Sequence, residues 1–281
     1  MNQGLFMKRV KILLVVIALV IGCAAFFQSR GITVDNLAKH SKKEMKTYIS
    51  AFPWQDYRIC NIPDLQANFY VDDIPDSIKD HLRRGIYWEG GIGNLIKTYT
   101  KPNTIAIDLG AHIGIHTLTM SRAVGEKGLV IAFEPQKKIF RELVHNMRLN
   151  ECKNVKLLRN AVGESRKKAQ MAFRQVQNEG GTSVGCGGDN VDMVTLDSLG
   201  LNNVSLIKMD VEYYEDYALQ GARKTILRNK PVIIFEIMGN YDYNNCTQEI
   251  KDRFDKTINY VKSLGYDVEL IFGNDYLARP L

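Results

Sequence analysis

From Thr104 onward the sequence alternates between short, continuously apolar runs and longer stretches in which apolar residues return every three or four positions. The runs "TIAIDL", "GLVIAFE", "VKLLRNAV", "VSLIKMD", "PVIIFEI" and "YDVELIF" have the length and β-branched content of strands. The stretches "GIHTLTMSRAV", "KKIFRELVHNMRLN", "DYALQGARKTIL" and "QEIKDRFDKTINYVKSLG" have helical spacing; Ile139, Leu143, Met147 and Asn150 mark one face of the second. Strands that are apolar throughout are covered on both faces. Their alternation with helices therefore predicts an α/β fold with a mostly parallel sheet and helices on both sides. Upstream, "DDIPDSIKDHLRRG" predicts a short helix capped by Asp76 or Ser77 and ending before Gly85. The segment "NEGGTSVGCGGDN", Asn178 to Asn190, is too rich in glycine for regular structure and is placed to fold over a cleft.

The longest apolar run lies elsewhere. "ILLVVIALVIGCAAFF", Ile12 to Phe27, follows Lys8, Arg9 and Lys11. As a helix it spans about 24 Å at about 1.5 Å per residue, against a hydrocarbon core of about 30 Å. A retained single-pass anchor is the reading taken, with a cleaved signal peptide and a lipoprotein box at Val20–Cys23 as its rivals. The expected organisation is a signal-anchor over residues 1–29, a basic juxtamembrane linker over 30–70 and a catalytic domain over 71–281.

Charge supports that division. Residues 1 to 50 carry eight Lys/Arg against Asp35 and Glu44, which is the whole net charge of +6. The remaining body balances to zero, which argues against a nucleic-acid binder and suits a basic segment beside a membrane. The five cysteines are scattered without a CxxC pair, so neither a disulfide framework nor a zinc site is indicated.

In a sheet of this kind ligands bind beyond the carboxyl ends of the strands. In "IDLGAHIGIHT", Asp108 closes the first strand, Gly110 and Gly114 let the backbone approach a ligand, and a helix begins at about Gly114. The pattern D-x-G-x-x-x-G lacks the extra glycine that admits a pyrophosphate in G-x-G-x-x-G, and it suits a smaller, zwitterionic cofactor tail. Glu134 in "AFEP" ends the second strand, placed to accept both hydroxyls of a ribose. The stretch "LIKMDVEYYEDYAL" ends another strand in a crowd of carboxylates. Of these, Glu215 and Asp216 suit the first turn of a helix, which leaves Asp210 and Glu212 for chemistry. Asp210 with Glu236 offers no third metal ligand, so no metal is expected.

Taken together, "AIDLGAHIGIHTLTMSRAVGEKGLVIAFEP", "NVKLLRNAVGE", "VTLDSL", "SLIKMDVEYYEDYALQGARKTI" and "KPVIIFEI" resemble the FkbM-type S-adenosylmethionine-dependent methyltransferases. The resemblance runs from about Trp88 to the C-terminal "NDYLARPL". It implies a Rossmann-like class I methyltransferase fold and methyl transfer to a hydroxyl of a sugar, glycolipid, polyketide or similar acceptor. It also places Asp108, Gly110, Ala111, His112 and Gly114 under the methionine part of S-adenosylmethionine, Glu134 at the ribose, Asn160 and Ala161 by the adenine, and Glu89 near the ammonium. Asp210 then faces the sulfonium. Asp210 and Glu212 are the first candidates to take the acceptor's proton, with His112 and His116 behind them. Trp88 closes the pocket or fills the core, and Thr182, Ser183 and Tyr213 are candidate acceptor contacts.

One position departs from the family pattern, which most often has glycine after "DVE" where this chain has Tyr213. Either the backbone there needs no positive φ, or the loop is rebuilt and the tyrosine pair lines a different acceptor pocket. Two other functions stay open: a noncatalytic module that keeps the cofactor pocket, and a nicotinamide-dependent oxidoreductase, disfavoured by the missing glycine. Because S-adenosylmethionine is made in the cytosol, a bacterial source would place the anchored domain on the cytosolic face.

Overall fold

The computed structural model describes residues 32–49, 57–172, 178–237 and 247–281. The chain divides into two units, Met1–Thr33 and Val34–Leu281, and the architecture below is that of the second. It opens with α1 (Val34–Ile49), the hairpin β1 (Arg58–Ile62) and β2 (Ala67–Val71), α2 (Ser77–Arg83) and α3 (Gly90–Tyr99). There follow β3 (Ile105–Leu109), α4 (Ile115–Val124), β4 (Leu129–Phe133), α5 (Lys137–Leu149), β5 (Val155–Leu158) and β6 (Asn160–Val162). Next come β7 (Lys167–Ala172), β8 (Val184–Gly185), β9 (Gly187–Val194) and β10 (Val204–Met209). The chain closes with α6 (Glu215–Gly221), α7 (Arg223–Asn229), β11 (Val232–Glu236), α8 (Gln248–Ser263), β12 (Tyr266–Phe272) and β13 (Asp275–Pro280).

Seven strands form the main sheet in the order β12-β13-β11-β10-β3-β4-β5. The five strands from β11 to β5 are parallel, and β13 runs antiparallel to both β11 and β12. Strand order reverses between β3 and β10, the switch point at which an open sheet of this kind forms its ligand crevice. All six residues of β10 are buried, as a strand covered on both faces must be.

Three local expectations meet corrections. "VKLLRNAV" is two strands, because β5 closes the main sheet while β6 turns away to pair with β9 in a smaller sheet, β6-β9-β7-β8. "DYALQGARKTIL" is two helices that break at Ala222. The glycine-rich segment from Asn178 to Asn190 contains β8 and the first half of β9, whose backbone groups are satisfied by pairing with β7 whatever the local propensity.

The β1–β2 hairpin packs on α5. Ile62, Phe69 and Val71 are buried with Ile139, Leu143 and Met147 in one apolar cluster. Asn146 ties three elements together: its Oδ1 accepts from Tyr70 N at 2.7 Å and its Nδ2 donates to Ile113 O at 3.0 Å, within the glycine turn after β3. The predicted cap on α2 is Asp76, whose side chain accepts from Lys79 N at 3.0 Å.

The expected single-pass membrane anchor and membrane localisation are corrected. Among the described residues no helix is long and apolar enough to cross a membrane. The longest, α1 and α8, have 16 residues each and so reach only about 24 Å, and both are studded with charge. The Ile12–Phe27 segment itself lies outside the described residues.

Candidate functional site

The site is built where β3 and β10 part. Beyond Leu109 the chain turns through Gly110, His112 and Gly114, with φ of 80°, 48° and 100°, into α4. A Cβ on Gly110 would collide with the carbonyl oxygen of Asp210 on the neighbouring strand end, so only glycine lets the two loops pass. The turn presents backbone N–H groups to the end of β4. His112 N donates to Glu134 Oε2 at 3.0 Å, and Gln136 N donates to Glu134 Oε1 at 2.8 Å. Each carboxylate oxygen keeps further acceptor capacity for a ligand. Burial pushes the Glu134 carboxyl up to about 7.

Carboxylates occupy the same end of strand after strand. Asp108 is fully buried; its Oδ2 accepts from Thr117 Oγ1 at 2.5 Å, and its Oδ1 has no hydrogen-bond partner among the described residues. Burial raises the Asp108 carboxyl above its usual range. Lys208 is the cross-strand neighbour of Asp108, and its Nζ lies 3.1 Å from Asp210 Oδ2. Burial disfavours the ammonium, but Asp210 and Asp108 beside it hold the lysine above its ordinary value. Burial would likewise raise Asp210, yet the Lys208 charge brings its carboxyl below the usual range.

Glu236 ends β11 and shares a hydrogen bond with Asp210. Burial and then the Asp210 charge push it up to about 9, so it holds a proton at neutral pH. Asp275, opposite Glu236 on β13, rises to about 7 through burial and then the Glu89 charge. Glu212 rises to about 8 through burial and then the Asp210 charge.

Of these groups Glu134, Lys208, Asp210 and Glu212 line a cleft made of two adjoining pockets, whereas Asp108, Glu236 and Asp275 are not among its lining residues. One end is walled by Phe133, Glu134, Pro135, Asn160, Ala161 and Glu212. The other is walled by Trp88, Glu89, Ala111, His112, His116 and Lys208. Gly110 and Asp210 belong to both ends. His116 Nε2 lies 3.0 Å from Glu89 Oε2. His116 Nδ1 and both ring nitrogens of His112 have no hydrogen-bond partner among the described residues. Burial lowers the His112 pKa, so the ring is neutral.

Of the candidate acceptor contacts, Trp88 lines the cleft, stands edge-on to His81 at 4.7 Å and also packs against the apolar core. Thr182 joins the lining. Ser183 does not; its carbonyl accepts from Ala172 N at 2.9 Å. Tyr213 also stands outside it, with the Arg253 guanidinium 4.4 Å from its ring centroid, and Tyr214 takes the place on the wall. Tyr213 has φ of 70° and Glu212 has 50°, so the left-handed backbone is adopted here without glycine. The explanation that this position needs no positive φ therefore fails.

Sequence reasoning passed over Lys208, Asp275 and Gln136, and considered Glu236 only as a metal ligand. Lys208 carried a signal: a lysine inside a continuously apolar strand, two residues before Asp210 and so on its face, must be paired when buried. Asp275 carried none, because it acts through neighbours distant in sequence, and neither did the Gln136 side chain, whose partner is the Glu179 carbonyl.

Residues 108–268 match the methyltransferase FkbM domain. Among solved structures the chain is similar to methyltransferase FkbM from Methylobacillus flagellatus KT, at 17% identity over 72% of this chain and 52% of that one, with a TM-score of 0.46. It is also similar to precorrin-6y C5,15-methyltransferase from Geobacter metallireducens GS-15, at 13% identity over 68% and 88% of the two chains, with a TM-score of 0.43. Aeropyrum pernix fibrillarin, solved with natively bound S-adenosyl-L-methionine, is similar at 10% identity over 68% and 74%, with a TM-score of 0.42. No curated protein sequence matches the chain.

Proposed function

The chain belongs to the FkbM methyltransferase family, with more than half its length in the matched domain, and on that premise we propose that it is an S-adenosylmethionine-dependent O-methyltransferase. Its acceptor is a hydroxyl on a sugar, glycolipid or secondary metabolite. The observation that carries the cofactor reading is Glu134, a buried carboxylate aimed by two backbone N–H groups at the mouth of the glycine turn. The residues present fit the cofactor. Asn160, Ala161 and Phe133 would hold the base, Glu134 would accept from the ribose hydroxyls, and the Gly110–Ala111 backbone would leave room for the amino-acid chain beyond. Glu89 and Asp210 would supply negative charge to the cationic end of the cofactor. A pyrophosphate would instead meet the Asp210 carboxylate, which Lys208 keeps ionised beside the glycine turn, and this counts against a nicotinamide dinucleotide.

When bound, the cofactor supplies an electrophilic methyl group. The protein's own part is to position the acceptor and hold its proton, since a displacement of this kind is accelerated chiefly by alignment. Asp210 is kept ionised by Lys208 and is a weak base. Glu212, on the cleft wall at about 8, is mostly protonated at neutral pH, so only its ionised fraction receives the hydroxyl proton, and the rate rises with pH as that fraction grows. His116, paired with Glu89, orients the far end of the cleft.

Calorimetric titration of the full chain with S-adenosylhomocysteine, and separately with NAD, tests the cofactor reading. Binding of the former at micromolar concentration, weakened about tenfold or more by Glu134→Ala, is expected, since one hydrogen bond to a charged group is worth about 1.5–3 kcal/mol. NAD binding with none of S-adenosylhomocysteine would overturn it. Incorporation of labelled methyl into a panel of hydroxylated acceptors then separates an enzyme from a noncatalytic module.

A further inference from the structure

Among the described residues a deeply buried charge cluster lies outside the cofactor cleft. The Lys79 ammonium is fully buried and touches Asp72 Oδ1 at 2.8 Å, Glu142 Oε2 at 2.9 Å and Glu179 Oε2 at 2.5 Å. Lys138 reaches the same three side chains, with Glu142 Oε1 and Glu179 Oε2 each at 2.8 Å. The three carboxylates converge as metal ligands do, but the Lys79 ammonium occupies the point of convergence. Burial alone would raise the Glu179 carboxyl; Lys79 and Lys138 turn the direction downward and keep it ionised.

A cluster of this kind is poor evidence for stability, because desolvating the charges offsets much of what their attraction returns. What it does fix is geometry, and Glu179 is the member that bears on the cleft. The residues that follow it, Gly180, Thr182 and Val184, line the cofactor end of the cleft. The Glu179 carbonyl accepts from Gln136 Nε2 at 2.9 Å and from Thr182 Oγ1 at 3.2 Å. Gln136 in turn gives its backbone N–H to Glu134, so a continuous hydrogen-bonded path joins the cluster to the ribose carboxylate. Gly180 lies against the His112 ring, where a Cβ would come within 3.3 Å. The cluster also ties in Lys79 and Asp72, which precede the matched domain at residue 108.

From this geometry we infer that Glu179 is a positioning residue for the cofactor cleft: its carboxylate, held between Lys79 and Lys138, seats the Glu179–Val184 wall over the ribose carboxylate. The identity of the ligand rests on the function proposed above; the seating of the wall does not. Glu142 provides the control, because it shares both lysines but belongs to α5 and has no part in the wall.

The test compares wild type, Glu179→Gln, Glu179→Asp and Glu142→Gln by amide hydrogen exchange and by S-adenosylhomocysteine titration on the full chain. Glu179→Gln is expected to speed exchange of the Gly180 and Thr182 amides about tenfold or more and to weaken S-adenosylhomocysteine about tenfold. Glu179→Asp, which keeps the charge on a shorter stem, moves both readings in the same direction by a smaller factor and decides the matter should Glu179→Gln not fold. Glu142→Gln is expected to lower the unfolding temperature comparably while leaving exchange in the wall and ligand affinity within twofold of wild type. Equal effects from the Glu142 and Glu179 variants, or unchanged exchange in Glu179→Asp, would overturn the inference by reducing the cluster to a structural role. Failure of wild type to bind S-adenosylhomocysteine would count against the cofactor reading alone, since exchange still reports the wall.

Discussion

The Nζ of Lys208 lies 3.1 Å from the carboxylate of Asp210, and the same lysine is the cross-strand partner of Asp108. A single buried ammonium therefore serves two carboxylates at the switch point of the sheet. Lys208→Met removes it and leaves both without a countercharge. Loss of about 3 kcal/mol of unfolding free energy is expected, measured by urea denaturation at neutral pH; a change within about 0.5 kcal/mol would show that solvent, not Lys208, balances Asp210.

Gly110→Ala introduces a Cβ against the Asp210 carbonyl at a φ of 80°. Only backbone movement relieves the collision, and it displaces the strand end that carries Asp210. The variant is expected to lose more than about 2 kcal/mol of stability and to bind S-adenosylhomocysteine at least tenfold more weakly. Thermal unfolding with and without ligand reads both effects.

Tyr213 holds a left-handed backbone while its ring stacks with Arg253. The strain and the stacking oppose each other, each worth about 1 kcal/mol. Tyr213→Gly relieves the strain and loses the stack, so its stability stays within about 1 kcal/mol of wild type. Tyr213→Ala loses the stack and keeps the strain, and it is expected to be less stable than the glycine variant by about 1 kcal/mol. Equal stabilities of the two variants in urea would remove the claim that this backbone is strained.

The carboxylates raised by burial set the pH dependence above neutrality. Glu212 and Glu236 stand at about 8 and about 9 when folded, against the ordinary 4.5 of a free glutamate. Between pH 7 and 9 the folded chain therefore binds more protons than the unfolded chain, and stability falls as pH rises. A slope of about 2 kcal/mol per pH unit is expected near pH 7–8, diminishing toward pH 9 as both groups ionise. The lowered carboxyls of Asp72, Glu179 and Asp210 act in the opposite sense, but only below about pH 5, and the raised lysines only above about pH 10. Glu236→Gln should flatten the pH 7–9 slope in urea titrations; an unchanged slope would place the ionisation elsewhere.

Much of this was readable in local pattern. Each parallel strand of the main sheet and every helix after Thr104 corresponds to a run or periodic stretch, because burial of one stripe or both faces constrains residues two, three or four positions apart. Asp108, Glu134 and Asp210 were visible as acids that end apolar runs, and Gly110 as the turn between them. The sequence by itself thus determined the parallel strands, their alternation with helices into an α/β sheet and which carboxylates stand at strand ends, all of which depend on near neighbours along the chain.

Tertiary structure alone decided what those carboxylates are. Glu236 keeps its proton because it is buried with Asp210 beside it, Asp210 stays ionised because the Lys208 ammonium lies beside it, and Glu179 is held by a lysine 100 residues earlier. The same holds for β13, whose antiparallel place between β11 and β12 brings Asp275 opposite Glu236. Charge state and strand partnership are set by Coulomb interactions and hydrogen bonds across space, in an interior where water no longer screens them. No spacing along the chain encodes those distances, so they came into being only with the fold.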